Sequence, residues 1–287
     1  MKNNNCICFI GGDERQKYVA EHLAEHININ TVGKIFENLK HYRVSYFENP
    51  IKAIYEAQAI ILPIPASSSE NIIAFSDIAN IINKNEGKIY VLGGKFSPYL
   101  KGIIQKEDIK YDDYFEDECF TIKNAFLTAE GALQIAMTAI KRSIRFSKCA
   151  ILGYGRIGKA LGEMLKGFYV DVTVLARKEE ALALAKENGL KAQNISSISN
   201  NLNGEFDIIF NTVPERILSN EVLLSIPRHT VLIELASPPG GFDPDIALQC
   251  DVHFIDGRGL PGKYAPETAG KIIADTIIQY LKKEGIL

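Results

Sequence analysis

The chain has 287 residues, 46% of them hydrophobic and 23% charged, with a net charge of -3. That is enough for one large or two ordinary domains with proper cores, it excludes a disordered chain, and it argues against a broad electrostatic grip on nucleic acid. No stretch reaches the roughly 18 apolar residues of a membrane span, and "CICFI" near the start is too short for a secretory signal and meets charges at once. Five scattered cysteines (Cys6, Cys8, Cys119, Cys149, Cys250) show no metal-ligand spacing. They read as reduced thiols of a cytoplasmic protein with no metal centre.

Short β-branched runs alternate with helical patterns for nearly the whole length, which predicts an α/β fold with parallel sheets. In the first half, strands are expected at 6–10, 29–32, 59–63 and 88–92, with a helix over 14–25. The acidic, aromatic segment "DIKYDDYFEDE" (108–118) reads as a solvated connection. A long helix is then expected over "TAEGALQIAMTAIKRSIRF", with Thr128 as N-cap and Glu130 in its first turn. These elements divide the chain into a first α/β domain (1–127), a connecting helix (128–146) and a second α/β domain (147–266). The last helix (267–287) is free to return to the first domain.

"KCAILGYGRIGKALGEMLKGF" carries the strongest chemical signal. A strand at 148–152 runs into Gly153-x-Gly155-x-x-Gly158, with Arg156 and Ile157 between the last two glycines, and then into an amphipathic helix. Gly153 permits the tight turn, Gly155 lets a pyrophosphate approach the backbone, and Gly158 lets the helix sit close to the strand. The helix N-terminus offers free N–H groups to the phosphates. A second strand, "VDVTVLAR", ends in Ala176-Arg177-Lys178, where an NAD enzyme usually carries an acid for the ribose 2′-hydroxyl. Arg177 suits a 2′-phosphate through paired hydrogen bonds, and Lys178 adds charge, so NADP is expected over NAD.

"FDIIFNTVP" ends in Asn211, Thr212 and Val213, and "TVLIELASPPGGFD" ends in Ala236 and Ser237. Both strand ends are expected to border the ribose and nicotinamide. Glu234, inside an apolar strand, calls for a partner, either as half of a structural ion pair or as a catalytic group. "DGRGLPGKYAPETAG" reads as a shaped loop that brings Pro261 and Gly262 to a ligand, with Lys263 facing an anion or solvent.

Several segments in fixed order, "GGDERQ", "LPIPASSSE", "NAFLTAEGALQIAM", "LGYGRIGKALGEML", "NTVPERIL", "ASPPGGFD" and "GLPGKYAPETAG", resemble the A subunits of dipicolinate synthases of spore-forming bacteria. The resemblance spans about residues 6–280. It implies two Rossmann-like domains arranged as in D-2-hydroxyacid dehydrogenases and joined by long helices. It also implies NAD(P)-dependent oxidation of a dihydrodipicolinate-type compound in the mother cell of a sporulating bacterium. The partner it implies is a flavoprotein-like B subunit.

Such a substrate is a partly reduced ring with two carboxylates, and loss of a hydride and a proton makes it aromatic. The protein must therefore orient the ring and hold its carboxylates. Asp13, Arg15 and Gln16 follow the first strand, Ser67, Ser68 and Ser69 follow the third, and Lys95 follows the fourth. Three polar clusters at strand ends are expected to share one crevice, with Arg15 binding a carboxylate. Glu130 is the expected proton acceptor, at the start of the connecting helix where a cleft between the domains is anticipated. Two alternatives remain open: a hydroxyacid or amino-acid dehydrogenase, and a non-catalytic NADP sensor.

Overall fold

The computed structural model describes residues 6–55, 57–66, 75–84, 89–198, 202 and 206–287. The chain divides into two compact units, Met1–Lys123 with Ala265–Leu287, and Asn124–Tyr264. In the first, β1 (Cys6–Ile10), α1 (Glu14–Leu23), β2 (Asn28–Val32), β3 (Val44–Tyr46), α2 (Pro50–Tyr55) and β4 (Ala59–Ile61) come in turn. They are followed by α3 (Phe75–Lys84), β5 (Tyr90–Gly93), α4 (Pro98–Lys106) and β6 (Tyr111–Asp113). The sheet is parallel throughout, in the order β3-β2-β1-β4-β5-β6. Alternation along β1 sends Cys6, Cys8 and Ile10 into one core and Ile7 and Phe9 into the other. Burial on both faces is why the strand reads as an unbroken apolar run.

The second unit is built on the same plan. It takes up α5 (Glu118–Ala139) from Asn124 onward. Next come β7 (Lys148–Leu152), α6 (Arg156–Gly167), β8 (Asp171–Ala176), α7 (Glu179–Glu187), β9 (Lys191–Asn194) and β10 (Ile208–Asn211). The unit closes with α8 (Asn220–Ser225), β11 (Val231–Glu234), α9 (Pro244–Gln249), β12 (His253–Asp256) and α10 (Leu260–Tyr264). Its parallel sheet runs β12-β11-β10-β7-β8-β9, so β7 and β10 flank the point where strand order reverses. The last helix, α11 (Pro266–Lys283), belongs to the first unit and buries Ile273, Ile277 and Leu281 in the core that holds Ile7, Phe9 and Leu23. Each such side chain contributes roughly 1.5–3 kcal/mol of burial.

Three local expectations are corrected. The 108–118 segment is no solvated connection, because it carries edge strand β6 and buries Tyr114 completely. α5 begins ten residues before Thr128, at Glu118, where the Asp117 carboxylate accepts a hydrogen bond from the Phe120 N–H at 2.7 Å. The Thr128 hydroxyl instead donates back to the Asn124 carbonyl at 2.8 Å, an ordinary position inside a helix. The "LPGKY" stretch is the one-turn helix α10, with Leu260 and Pro261 buried, and not an open loop. Among the described residues no helix is long and apolar enough to cross a membrane.

Candidate functional site

The loop between β7 and α6 is shaped by steric necessity. Gly153 has φ +88, and a Cβ there would lie 2.7 Å from Thr212 Oγ1 and 2.8 Å from Val213 Cγ2. A Cβ on Gly158 would come within 2.4 Å of the Gly153 carbonyl oxygen. Both glycines are therefore required by the protein's own packing. Gly155 differs: no atom lies within 4 Å of where its Cβ would be. It is the N-cap of α6 and offers no side chain to the first-turn N–H groups. An open, uncapped helix start with room over the backbone fits a pyrophosphate.

Beside it lies a cavity of about 380 Å³ lined by Gly153, Tyr154, Gly155, Ala176, Arg177, Lys178, Ala181, Ile195, Val213, Glu215 and Ile217. Ala176, Arg177 and Lys178 thus stand with the phosphate loop in one cavity. Arg177 is three-quarters exposed and makes a loose 3.5 Å ion pair with Glu215. Thr212 stands behind the loop, its hydroxyl donating to the Leu152 carbonyl at 2.8 Å. Glu215 lies in the "NTVPERIL" segment, but nothing in that segment signals its pairing with Arg177, which only the fold brings about.

Behind the cavity, Glu234 is buried and ends β11. Its two carboxylate oxygens accept from Asn211 Nδ2 at 2.8 and 3.0 Å, from the Ala236 N–H at 2.8 Å and from the Gly241 N–H at 2.8 Å. Arg258 is committed to Asp256 through bonds of 2.7 and 2.6 Å. The carboxylate is accordingly held by amide donors and not by an ion pair. Burial raises its pKa, and the hydrogen bonds from Gly241, Ala236 and Asn211 oppose that rise. Asn211 relays the arrangement, since its Oδ1 accepts from the Val213 N–H at 3.1 Å. Ala236 is buried in this network, and Pro261 and Gly262 lie in α10. None of these three, nor Ser237, lines the cavity.

In the first unit, the loops after β1, β4 and β5 are tied together. Arg15 Nη2 donates to the Ile64 carbonyl at 2.9 Å, and the Ala66 N–H donates to the Gly94 carbonyl at 2.8 Å. The start of α1 is closed, however. Asp13 caps it by accepting from the Arg15 N–H at 3.1 Å, and the Arg15 guanidinium folds back onto Asp13 at 2.7 and 2.9 Å. Arg15 is only 8% exposed. The expectation of a guanidinium reaching for a carboxylate is corrected, because Asp13 and Ile64 already take its Nε and Nη2. Gln16 is likewise internal, donating to the Leu62 carbonyl at 3.2 Å, and Gly12 at φ +119 leaves the space its Cγ fills.

Lys95 lies at the end of β5 with its backbone N–H on Asp113, and partial desolvation lowers its pKa. Ser67, Ser68 and Ser69 lie outside the described residues. Glu130 is exposed in the middle of α5, not in its first turn, so the helix-start position expected for it is corrected. Its neighbour Gly131 packs against Leu260, where a Cβ would lie 2.8 Å from the Leu260 Cβ. Among the described residues no group of three or more His, Cys, Asp or Glu is placed to hold a metal ion.

A doubly wound parallel sheet with an uncapped glycine loop at its switch point defines a dinucleotide-binding protein, and its family matches make it an NAD(P)-dependent oxidoreductase. Residues 6–115 match the family model for the N-terminal domain of the dipicolinate synthase A subunit, and residues 125–237 match that of the D-isomer specific 2-hydroxyacid dehydrogenase, NAD binding domain. The dipicolinate synthase A subunit of Bacillus subtilis (strain 168) is 30% identical, with 96% of this chain and 95% of that protein covered. The crystal structure of the dipicolinate synthase A subunit from Bacillus halodurans superimposes with a TM-score of 0.86 at 29% identity, covering 98% of this chain and 99% of that one. Apo D-lactate dehydrogenase from Escherichia coli shares the fold, with a TM-score of 0.67 at 13% identity over 98% of this chain and 97% of that one. The chain belongs to the family of dipicolinate synthase A subunits.

Proposed function

We propose that the chain is an NADP-linked oxidoreductase that makes dipicolinate by removing a hydride from a dihydrodipicolinate-type substrate derived from the product of dihydrodipicolinate synthase. The observation that carries the dinucleotide part is the contrast between the open Gly155 helix start and the self-capped Asp13 helix start. When bound, the nicotinamide supplies the hydride acceptor. Gly155 and the first-turn N–H groups of α6 hold the pyrophosphate, and Thr212 and Val213 fix the loop that receives it. Arg177 and Lys178 would hold a 2′-phosphate, which would compete with the loosely paired Glu215 for the Arg177 guanidinium.

The reaction leaves one proton to be taken up as the ring becomes aromatic, and Glu130 is the carboxylate we assign to it. We assign the orientation of the dicarboxylate to Lys95, together with Ser67 and Ser68, which lie outside the described residues, and Asp13 and Arg15 brace the neighbouring loop through the Ile64 carbonyl. Family membership supports partnership with a B subunit, in the mother cell of a sporulating bacterium.

The test mixes the chain, with and without a B subunit, with NADP and the product of dihydrodipicolinate synthase. Dipicolinate and NADPH should appear together in equal amounts. NADP binding without turnover under either condition would replace this reading with that of a nucleotide sensor. For the cofactor, Arg177→Ala should weaken NADP at least about tenfold and NAD hardly at all. Equal losses in titration calorimetry would remove the 2′-phosphate assignment.

A further inference from the structure

One buried carboxylate anchors both ends of a wall of the cavity beside the phosphate loop. Val213, Glu215 and Ile217 line that cavity together with Gly153, Arg177 and Lys178. At one end of the 213–217 stretch, the Asn211 side chain grips the Val213 backbone twice. Its Nδ2 donates to the Val213 carbonyl at 3.0 Å, and its Oδ1 accepts from the Val213 N–H at 3.1 Å. The same Nδ2 donates to both oxygens of Glu234. At the other end, the Ile217 and Leu218 N–H groups donate to the Gly241 carbonyl at 3.0 and 2.9 Å. The Gly241 N–H in turn donates to Glu234 at 2.8 Å. Glu215 stands between the two anchors and reaches Arg177 at 3.5 Å.

The surrounding chain is fitted to this carboxylate. A Cβ on Gly241 would lie 2.4 Å from Asn211 Nδ2, and one on Gly240, at φ +77, would lie 3.0 Å from Glu234 Oε2. Each oxygen of Glu234 accepts from a different backbone N–H, that of Ala236 or of Gly241. An ionised carboxylate matches donors on both sides, whereas an amide would turn its NH₂ against one of them. What these bonds order is not the interior of β11 but the two loops after β10 and β11. Those loops lie at the carboxyl end of the sheet, where a doubly wound fold receives its ligand.

We propose that Glu234 is a positioning residue of the dinucleotide site, which sets the 213–217 wall across from Arg177 by way of Asn211 and Gly241. This rests on the reading of the cavity as the dinucleotide site. Glu234 itself does not line the cavity and acts through the backbone that does.

The test uses the full-length chain, with NAD and NADP each titrated by calorimetry and thermal melting as second readout. Thr230→Val is the matched control. The buried Thr230 hydroxyl donates to the Phe206 carbonyl at 2.7 Å at the opposite end of β11, so its removal costs a buried hydrogen bond away from the cavity. Glu234→Gln and Thr230→Val should each lower the melting temperature by about 3–8 °C. Only Glu234→Gln, titrated well below its melting temperature, should weaken both dinucleotides, by at least about fivefold. A merely structural carboxylate would lower the melting temperature and leave the affinity of the folded protein where it was. Asn211→Ala keeps both backbone bonds of Glu234 and cuts only the Val213 arm. It should weaken both dinucleotides at least about threefold, and it decides the question if Glu234→Gln does not fold. If wild type binds neither dinucleotide, the reading of the cavity fails and takes the proposal with it. If wild type binds and the folded variants bind equally well, or Thr230→Val loses as much affinity as they do, the positioning proposal alone is overturned.

Discussion

Gly155 and Gly158 stand three residues apart in one motif and answer to different constraints. Gly158 is demanded by the fold, since a Cβ would press on the Gly153 carbonyl at 2.4 Å, whereas Gly155 faces open space. Gly158→Ala should therefore cost about 1–3 kcal/mol in denaturant unfolding and lose the dinucleotide as well. Gly155→Ala should cost less than about 1 kcal/mol yet weaken NADP at least about tenfold, because its methyl fills the space a pyrophosphate needs. A Gly155→Ala protein of native affinity would mean that no ligand approaches that backbone. Glu234 makes a second prediction at this scale. In Glu234→Gln an NH₂ group replaces one of two oxygens that both accept from N–H donors, so a buried donor faces a donor. Urea unfolding should show a loss of about 1–3 kcal/mol, and an unchanged midpoint would contradict the network.

Among the elements, α11 is held to the first unit by close backbone approach. A Cβ on Gly270 would lie 2.6 Å from Tyr18 Cβ and 2.8 Å from the Arg15 carbonyl oxygen of α1. Gly270→Ala should destabilise the first unit by about 1–3 kcal/mol in thermal melting while leaving NADP affinity intact, since the phosphate loop lies in the other unit. The interior strands β1, β7, β10 and β11 were legible as apolar runs because both faces of each are buried. The edge strands β3 and β6 were not, because "VSY" and "YDD" are only three residues long and carry no apolar run. The start of α5 was misplaced for a related reason. Thr128 looks like a cap in isolation, but capping depends on where the chain first turns helical, and Asp117 takes that role. The phosphate loop could be read because its glycine spacing is local. Arg15 on Asp13, Asp113 under Lys95 and Glu215 beside Arg177 could not, because each pairing follows from where side chains settle once the turns have formed.

At the scale of the whole molecule, the chain contains two six-stranded sheets with the same strand order, and each has a glycine turn followed by a helix at its switch point. What separates them is a few atoms at the helix start. Asp13 fills the first with its own carboxylate and Arg15 seals it, while Gly155 leaves the second open. A carboxylate already at a helix N-terminus repels a phosphate and occupies the N–H groups a phosphate would use. Two similar units thereby differ in what their helix starts can receive, the second having room for a dinucleotide pyrophosphate and the first none, and a single hydride transfer requires no second cofactor. The most direct test is the stoichiometry of NADP binding to the full-length chain by titration calorimetry, for wild type and Gly155→Ala. One NADP per chain, weakened at least about tenfold in Gly155→Ala, is the predicted result. Two NADP per chain, or one whose affinity ignores Gly155, would contradict the account.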